Sequence, residues 1–390
     1  MTSCRCDIDR AFLQRPNRPD YRSGASAVRI VDLFSGCGGL SLGIAEAARS
    51  LGHSAEVALA IDTDEISLKA LKGNLPVADA RAAPVEELFP RKPGKAPARV
   101  EERLVGEIGA VTMLVGGPPC QGHSNLNNHT RQVDARNALY SRMARAAELV
   151  RPRIVLIENV PAIRNDKDDV LGETIAGLTR TDYVVAERVI DLTMVGVPQR
   201  RRRHVLLAFR AEVEVAPLEL LDRLAAPCST HPRRSVRWAI EDLMDAGGAR
   251  FDTPARMSAE NAARIAWLHE NGEYNLPNDR RPPCHQDEHT YLSMYGRLRW
   301  EEPAQTITTG FGSMGQGRFV HPARRSTLTP HEAARLQTFP DFFSFATTSQ
   351  RSAWARMIGN AVPPLLGRTL GTLALSAITG DRVDEGLAAA

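Results

Sequence analysis

Between residues 28 and 209 short apolar runs alternate with stretches of helical patterning, and this alternation restricts the chain more than any other feature. The runs are Val28–Phe34, Glu56–Ile61, Val111–Val115, Ile154–Ile157, Val184–Ile190 and His204–Phe209. Helical patterning covers Leu40–Ser50, Asp64–Leu71 and Leu139–Val150 between them. Strands that alternate with helices and read as almost uninterrupted apolar segments predict a doubly wound, mostly parallel α/β sheet covered on both faces. Such sheets bind ligands beyond the carboxyl ends of their strands. The polar motifs of this chain fall at those ends.

The remaining sequence reads differently. Residues 1–25 carry five arginines and two prolines with little apolar periodicity, which predicts a basic flexible arm. After Arg210 the alternation stops. Residues 211–325 are rich in Pro, Arg and Gly, with one convincing helix at Ser258–Glu270, and predict a second, smaller domain following a sheet domain at 26–210. Helical patterning returns at Thr329–Leu336 and in an amphipathic helix at Leu365–Ile378, so residues 326–390 are expected to pack back on the sheet domain. No run approaches the ~18 apolar residues of a membrane-spanning helix, and no membrane partner is expected.

Composition adds two points. The formal charge of +3 excludes a polycation, yet only five of 49 basic residues are Lys. Arginine is the better side chain for bidentate phosphate and base-edge contacts, so nucleic acid is admitted without being demanded. Six cysteines, at 4, 6, 37, 120, 228 and 284, form no CxxC pair, as suits a reducing compartment. Cys228 and His231, with Cys284, His285 and His289, match no common zinc spacing, and no metal is expected.

Four motifs carry chemistry. Asp32-Leu33-Phe34-Ser35-Gly36-Cys37-Gly38-Gly39-Leu40 is a strand end, a tight glycine turn and a helix start. Ser41 stands where a dinucleotide fingerprint needs its third glycine, which disfavours a nicotinamide oxidoreductase. Asp62, followed by Thr63, ends the next strand and is placed to accept hydrogen bonds from a ribose diol. The pair predicts a nucleoside cofactor that need not carry phosphates. Second, Gly116-Gly117-Pro118-Pro119-Cys120-Gln121-Gly122-His123-Ser124 delivers a thiol onto a loop stiffened by prolines, where a core cysteine would not lie. The polar stretch Gln121–Asn137 could then close over a substrate. Third, Glu158-Asn159 follows the apolar run Ile154–Ile157, so a candidate proton donor stands at the ligand edge. Fourth, Gln199 precedes four arginines leading into a strand, and alternation points Arg201 and Arg203 the same way.

In this order the motifs closely resemble the DNA cytosine-5 methyltransferase family. DLFSGCGG resembles its cofactor motif, GGPPCQGHS its nucleophile motif, ENV its acid motif and Gln199-x-Arg201-x-Arg203 its arginine motif. Thr329 to Asp341 resembles the segment that organises the recognition domain, and Gly359-Asn360-Ala361-Val362-Pro363-Pro364 resembles the C-terminal motif that returns to the cofactor. The likeness runs from residue 28 to 375 and leaves out only the recognition region.

The resemblance implies a Rossmann-like fold with a target-recognition domain, S-adenosylmethionine as methyl donor and S-adenosylhomocysteine as its product. It implies that Cys120 adds to carbon 6 of a flipped cytosine, that Glu158 binds the ring edge, and that Arg201 and Arg203 orient that carboxylate, the loop and the base. Phe34, Ser35, Gly36, Gly38, Gly39, Leu40, Asp62, Thr63, Asp79, Pro118, Leu139, Asn360 and Ala361 would hold the cofactor. Gln121, Gly122, Ser124, Asn159, Gln199 and Thr306 would meet the DNA. Double-stranded DNA is the implied partner, with a cognate restriction or defence protein beside it, for a monomer located in the bacterial cytoplasm near the nucleoid. Departures from the family pattern are His123, Asn137 and Val195, and Pro84 stands where an adenine-binding Asp is usual, with Asp79 the nearest substitute. A transfer-RNA-directed branch of the same fold typically carries a Cys-Phe-Thr tripeptide, which this chain lacks. A catalytically silent scaffold would usually have lost Cys120 or Glu158, and both are present.

Overall fold

A computed structural model describes residues 5–119, 139–225, 233–286 and 294–381. Its main sheet has seven strands. These are β1 (Ala27–Leu33), β2 (Ser54–Asp62), β3 (Ala80–Ala82), β4 (Met113–Gly116), β5 (Ile154–Asn159), β6 (Tyr183–Asp191) and β8 (Arg202–Arg210), in the order β3-β2-β1-β4-β5-β8-β6. The pairs from β3 to β5 are parallel, and β8 runs antiparallel to both β5 and β6. The remaining two strands, β7 (Gln199–Arg200) and β9 (Ala304–Gln305), form a short parallel ribbon.

The chain winds outward from β1 to β3 and then restarts at β4, so strand order reverses between β1 and β4. This is the switch point at which doubly wound sheets open a crevice. The register pairs Leu33 with both Ile61 and Gly116, and Gly116 with Ile157. Phe34, Asp62, Gly117 and Glu158 therefore emerge in one row.

Alternation along each strand feeds two apolar layers. Ile154 and Leu156 of β5 enter one, Val155 and Ile157 the other. In the first layer helix Gly39–Ser50 packs on helix Pro364–Thr379 at backbone distance. A Cβ on Gly43 would lie 2.2 Å from the Pro364 carbonyl oxygen, and one on Gly367 2.7 Å from that of Leu40. The final helix is buried from Pro364 to Leu375 on every side, so the amphipathic helix expected there is a core helix. By length and composition alone the stretch Arg351–Thr379 could cross a membrane, but 72% of its most apolar window is buried inside the protein.

Two domain expectations are corrected. The flexible arm is docked: Arg5–Leu13 is a helix, and Phe12, Leu13 and Tyr21 are buried in the first layer. The arm's carboxylate Asp9 is buried between Arg234 and Arg368, and Tyr21 and Arg15 hold Glu46 of helix Gly39–Ser50. Arginine-rich composition concealed three apolar anchors. The boundary at 210 is also not clean. Helix Pro217–Ala225 packs on β6, and Val236, Trp238, Ile240, Leu298 and Ile307 join the first layer. What the second region keeps for itself is a small cluster of Ile265, Leu268, Leu276, Tyr295, Met314 and Val320.

Candidate active site

The first strand-end turn is built by the backbone. Phe34, Gly36 and Gly38 all have positive φ, at 63°, 52° and 87°. Ser35 N–H donates to the Ile61 carbonyl and Gly38 N–H to that of Ser35, so the turn folds back on β2 before the helix starts at Gly39. Asp62 completes it: Oδ2 accepts from Gly36 N at 2.8 Å and Oδ1 from Asp64 N at 2.8 Å. Burial raises the Asp62 pKa above the ordinary carboxylate value. Beneath the turn, Asp32 is buried, accepts from Ser41 Oγ at 2.5 Å, and is pushed up to about 7, chiefly by desolvation.

These atoms suit a nucleoside bonded to an amino acid. Ser35 Oγ is buried with no hydrogen-bond partner among the described residues, and open space lies where a Cβ on Gly36 would project. A carboxylate that accepts two backbone N–H groups retains lone pairs for hydroxyl donors. Buried polar groups require partners, so the orphaned hydroxyl marks a place for a ligand atom.

Other expected cofactor residues divide. Pro118 and Leu139 are buried beside this edge, Thr63 is exposed, and Leu40 is sunk in the apolar layer. Gly39 is small for a different neighbour: a Cβ there would lie 2.3 Å from the Val362 carbonyl oxygen. The C-terminal motif thus reaches the first turn, with Ala361 buried and Asn360 exposed. Asp79 is a correction. It lies before β3, level with Leu59 rather than Asp62, and its carboxylate is 2.7 Å from Arg81 Nε. Ala83 and Pro84 occupy the strand's ligand end instead, with Ala83 N–H donating to the Asp62 carbonyl.

On the other side of the switch point Glu158 is 8% exposed at the end of β5. Arg203 Nε lies 2.6 Å from Glu158 Oε1, a buried ion pair on the same edge. A Cβ on Gly117 would sit 3.5 Å from Glu158 Oε2 and 3.5 Å from a Val362 methyl, so the end of β4, Glu158 and the C-terminal motif converge. Arg201 is buried and donates to the carbonyls of Ile307 and Ala361, bracing the backbone around the acid. Cys120, Gln121, Gly122 and Ser124 lie outside the described residues, as do the rest of the Gln121–Asn137 loop and Cys228, His231 and His289. Among the described residues no group of His, Cys, Asp and Glu could hold a metal ion.

Two residues expected to meet DNA are buried and bonded within the protein. Gln199 is fully buried; its amide donates to Leu336 O and Gln337 Oε1 and its carbonyl accepts from Ile307 N. Asn159 is buried, donates to the Pro118 carbonyl at 3.3 Å and accepts from Val160 N, which ties the acid strand to the proline loop. Half-buried Thr306 donates to the Arg200 carbonyl at 2.9 Å. Sequence reasoning placed Gln337 and Arg335 in the Thr329–Asp341 motif but gave neither a role: Gln337 closes the Gln199 network by donating to Ile358 O, and Arg335 grips Asp341 and Asp242. The available signal was a polar side chain in an apolar helix face, which demands a buried partner.

Comparison with known proteins adds the following. Residues 28–374 match the C-5 cytosine-specific DNA methylase family. The chain is 43% identical over 365 residues to the type II methyltransferase M1.BsuMI of Bacillus subtilis (strain 168), covering 93% of this chain and 84% of that one. It is 29% identical to the type II methylase M.HgiDII of Herpetosiphon aurantiacus over 87% of this chain and 93% of the relative. Among solved structures, the S. pombe Dnmt2 methyltransferase superposes with a TM-score of 0.60 at 14% identity, covering 90% of this chain and 99% of its own, a likeness of fold.

Proposed function

This chain belongs to the C-5 cytosine-specific DNA methylase family and is a DNA cytosine-5 methyltransferase; from that premise we propose how its residues divide the work. The substrate is a cytosine in duplex DNA, rotated out of the stack at a cost of a few kcal/mol because a stacked ring offers no approach to carbon 6. S-adenosylmethionine, when bound, supplies an electrophilic methyl group. Ser35, the Gly36 turn and Asp62 would hold it, with Pro118 and Leu139 alongside.

Carbon 5 of cytosine is a poor nucleophile. Addition of the Cys120 thiolate to carbon 6 forms a C–S bond and pushes the ring's electron pair toward carbon 5, while Glu158 gives a proton to ring nitrogen 3. After carbon 5 is methylated, its proton passes to water, the electron pair left behind expels Cys120 as thiolate, and ring nitrogen 3 returns its proton to Glu158, which restores the neutral aromatic ring. Arg203 fixes the Glu158 carboxyl, and Arg201 fixes the backbone on which that pair rests. The observation that carries this reading is the Glu158–Arg203 pair standing in one row with Gly117, three residues before Cys120.

The similarity to type II methyltransferases supports a role in sequence-specific modification beside a cognate restriction or defence protein, and we propose that the chain acts as a monomer on DNA in the bacterial cytoplasm. The test is incubation with labelled S-adenosylmethionine and either duplex DNA or transfer RNA. Label should enter carbon 5 of cytosine in the duplex, and Cys120→Ala should abolish it; label in RNA alone overturns the reading.

A further inference from the structure

A cluster of positive charge lies beside the β7–β9 ribbon and has no part in the fold or the chemistry described so far. Arg200 ends β7, one residue before Arg201, and its Nη2 lies 2.8 Å from Glu302 Oε2. Arg299 is exposed, with its Nε 3.6 Å from the other oxygen of the same carboxylate. Its guanidinium carbon stands 3.8 Å from the centre of the Tyr274 ring, and Arg297 stands 4.4 Å from that same ring. Arg318, half-buried, donates to the carbonyls of Tyr274 at 2.7 Å and Arg297 at 3.0 Å. Arg200 and Arg299 thus share one carboxylate with Arg318 close by, and the cluster keeps an excess of positive charge. The strain registers on Arg318, whose pKa is lowered by burial and then by the proximity of Arg299 and Arg200.

Arg237 has two carboxylates, Glu241 and Glu301, to itself, whereas Arg200 and Arg299 divide one. Here the guanidinium of Arg299 is oriented by stacking, which leaves its donors free to point outward. The location is informative too. Arg200 is three residues from Arg203 along an extended backbone, so it stands roughly 10 Å from the residue that anchors Glu158. That is on the scale of one or two nucleotide steps.

We propose that Arg200 and Arg299, braced by Tyr274 and Arg318, bind a backbone phosphate of the duplex close to the target cytosine. This rests on the reading of the protein as a DNA methyltransferase. Such a contact carries no base information; it sets the register of the DNA against the acid strand.

The experiment uses the full chain and a duplex oligonucleotide bearing the site that base-resolution sequencing of the methylated product identifies. Binding is measured across a salt series for the wild type, Arg200→Ala, Arg299→Ala, the double variant, and Arg103→Ala on the distant helix Arg99–Ile108 as control. Neutralising a phosphate contact lowers the slope of log affinity against log salt by about 0.9. The double variant should show this reduction and the control none. Each phosphate is then replaced singly by an uncharged methylphosphonate. One linkage near the cytosine should weaken wild-type binding and have no further effect on the double variant, a coupling that a merely structural role would not produce. Unchanged slope and no coupled linkage, in a wild type that methylates the duplex, overturn the phosphate assignment alone. A wild type that methylates no duplex overturns the reading beneath it.

Discussion

The sheet half of this molecule and the half around residues 211–325 hold their side chains in place by different physical means. In the sheet half two continuous apolar layers clamp β1, β4 and β5, and glycines let helices and turns approach at backbone distance. Among the described residues the half around 211–325 has its own cluster of six buried apolar side chains, lends others to the first layer, and adds guanidinium groups that lie over rings and donate to carbonyls. Apolar burial is non-directional and tolerates exchange of similar side chains. Arginine contacts are directional, and each loss strands a partner. The first half is therefore suited to a constant reaction, the second to contacts that must be exact in position.

The comparison can be broken in several places. The largest effect is expected where the sheet half becomes polar. Arg203→Ala removes the partner of Glu158, and kcat for methyl transfer should fall about 10²–10⁴-fold, the range of a general-acid contribution, with DNA binding measured alongside. Wild-type kcat in that variant would detach the ion pair from catalysis.

Next is the seam between halves. Asp9 of the docked arm is buried against Arg234 on the recognition side and Arg368 on the core helix. Asp9→Ala leaves two buried guanidinium groups without that acid and should cost about 3–5 kcal/mol in urea unfolding. A change within error would mean the arm is held by Phe12 and Leu13 alone. Within the apolar half, Gly43→Ala forces a methyl group against the Pro364 carbonyl and should destabilise by about 1–3 kcal/mol. An unaltered unfolding midpoint would show that the helix pair separates without strain.

The smallest effect concerns a polar latch. His331 bridges Asp252 and Asp341, at 2.7 Å and 3.0 Å, and although burial opposes its charge, the two acids leave its pKa raised above the usual value. A histidine whose folded pKa is raised contributes stability that is complete below its unfolded value, near 6.5, and is lost as pH rises through the folded value. Stability should thus decline above pH ~6.5 by about 1 kcal/mol or less. In His331→Gln that part of the decline should vanish; an identical pH profile would remove the latch.

Much of the sheet half was legible in the amino-acid order. All six apolar runs became strands of the main sheet, and helix Leu139–Val150 has the expected limits. The three-residue strand Ala80–Ala82 was not legible, because so short a segment has no periodicity. Helix Arg5–Leu13 was hidden because charged residues break its apolar periodicity and only Phe12 and Leu13, at its end, are buried apolar side chains. Among site residues, Glu158, Asp62 and the glycine turn stand where strand-end reasoning puts them. Asn159 stands there too, but its bonds, like those of Gln199 and Asp79, were not legible, because a residue type indicates which bonds it can make, not which neighbour reaches it first.

Local order was therefore enough to determine the strands, the row of polar ends and the kind of chemistry placed there, since period and turn residues act over a few positions. Tertiary structure alone decided that Arg203 rather than Arg201 meets the acid in an ion pair, that Gln199 turns inward to Gln337, and that a basic arm becomes a brace. Glu158 and Arg203 meet across neighbouring strands, but the bonds that engage Arg201, Gln199 and Asp9 join segments more than a hundred residues apart that compete for the same buried donors and acceptors. Dense packing settles such a competition only once every element is in place.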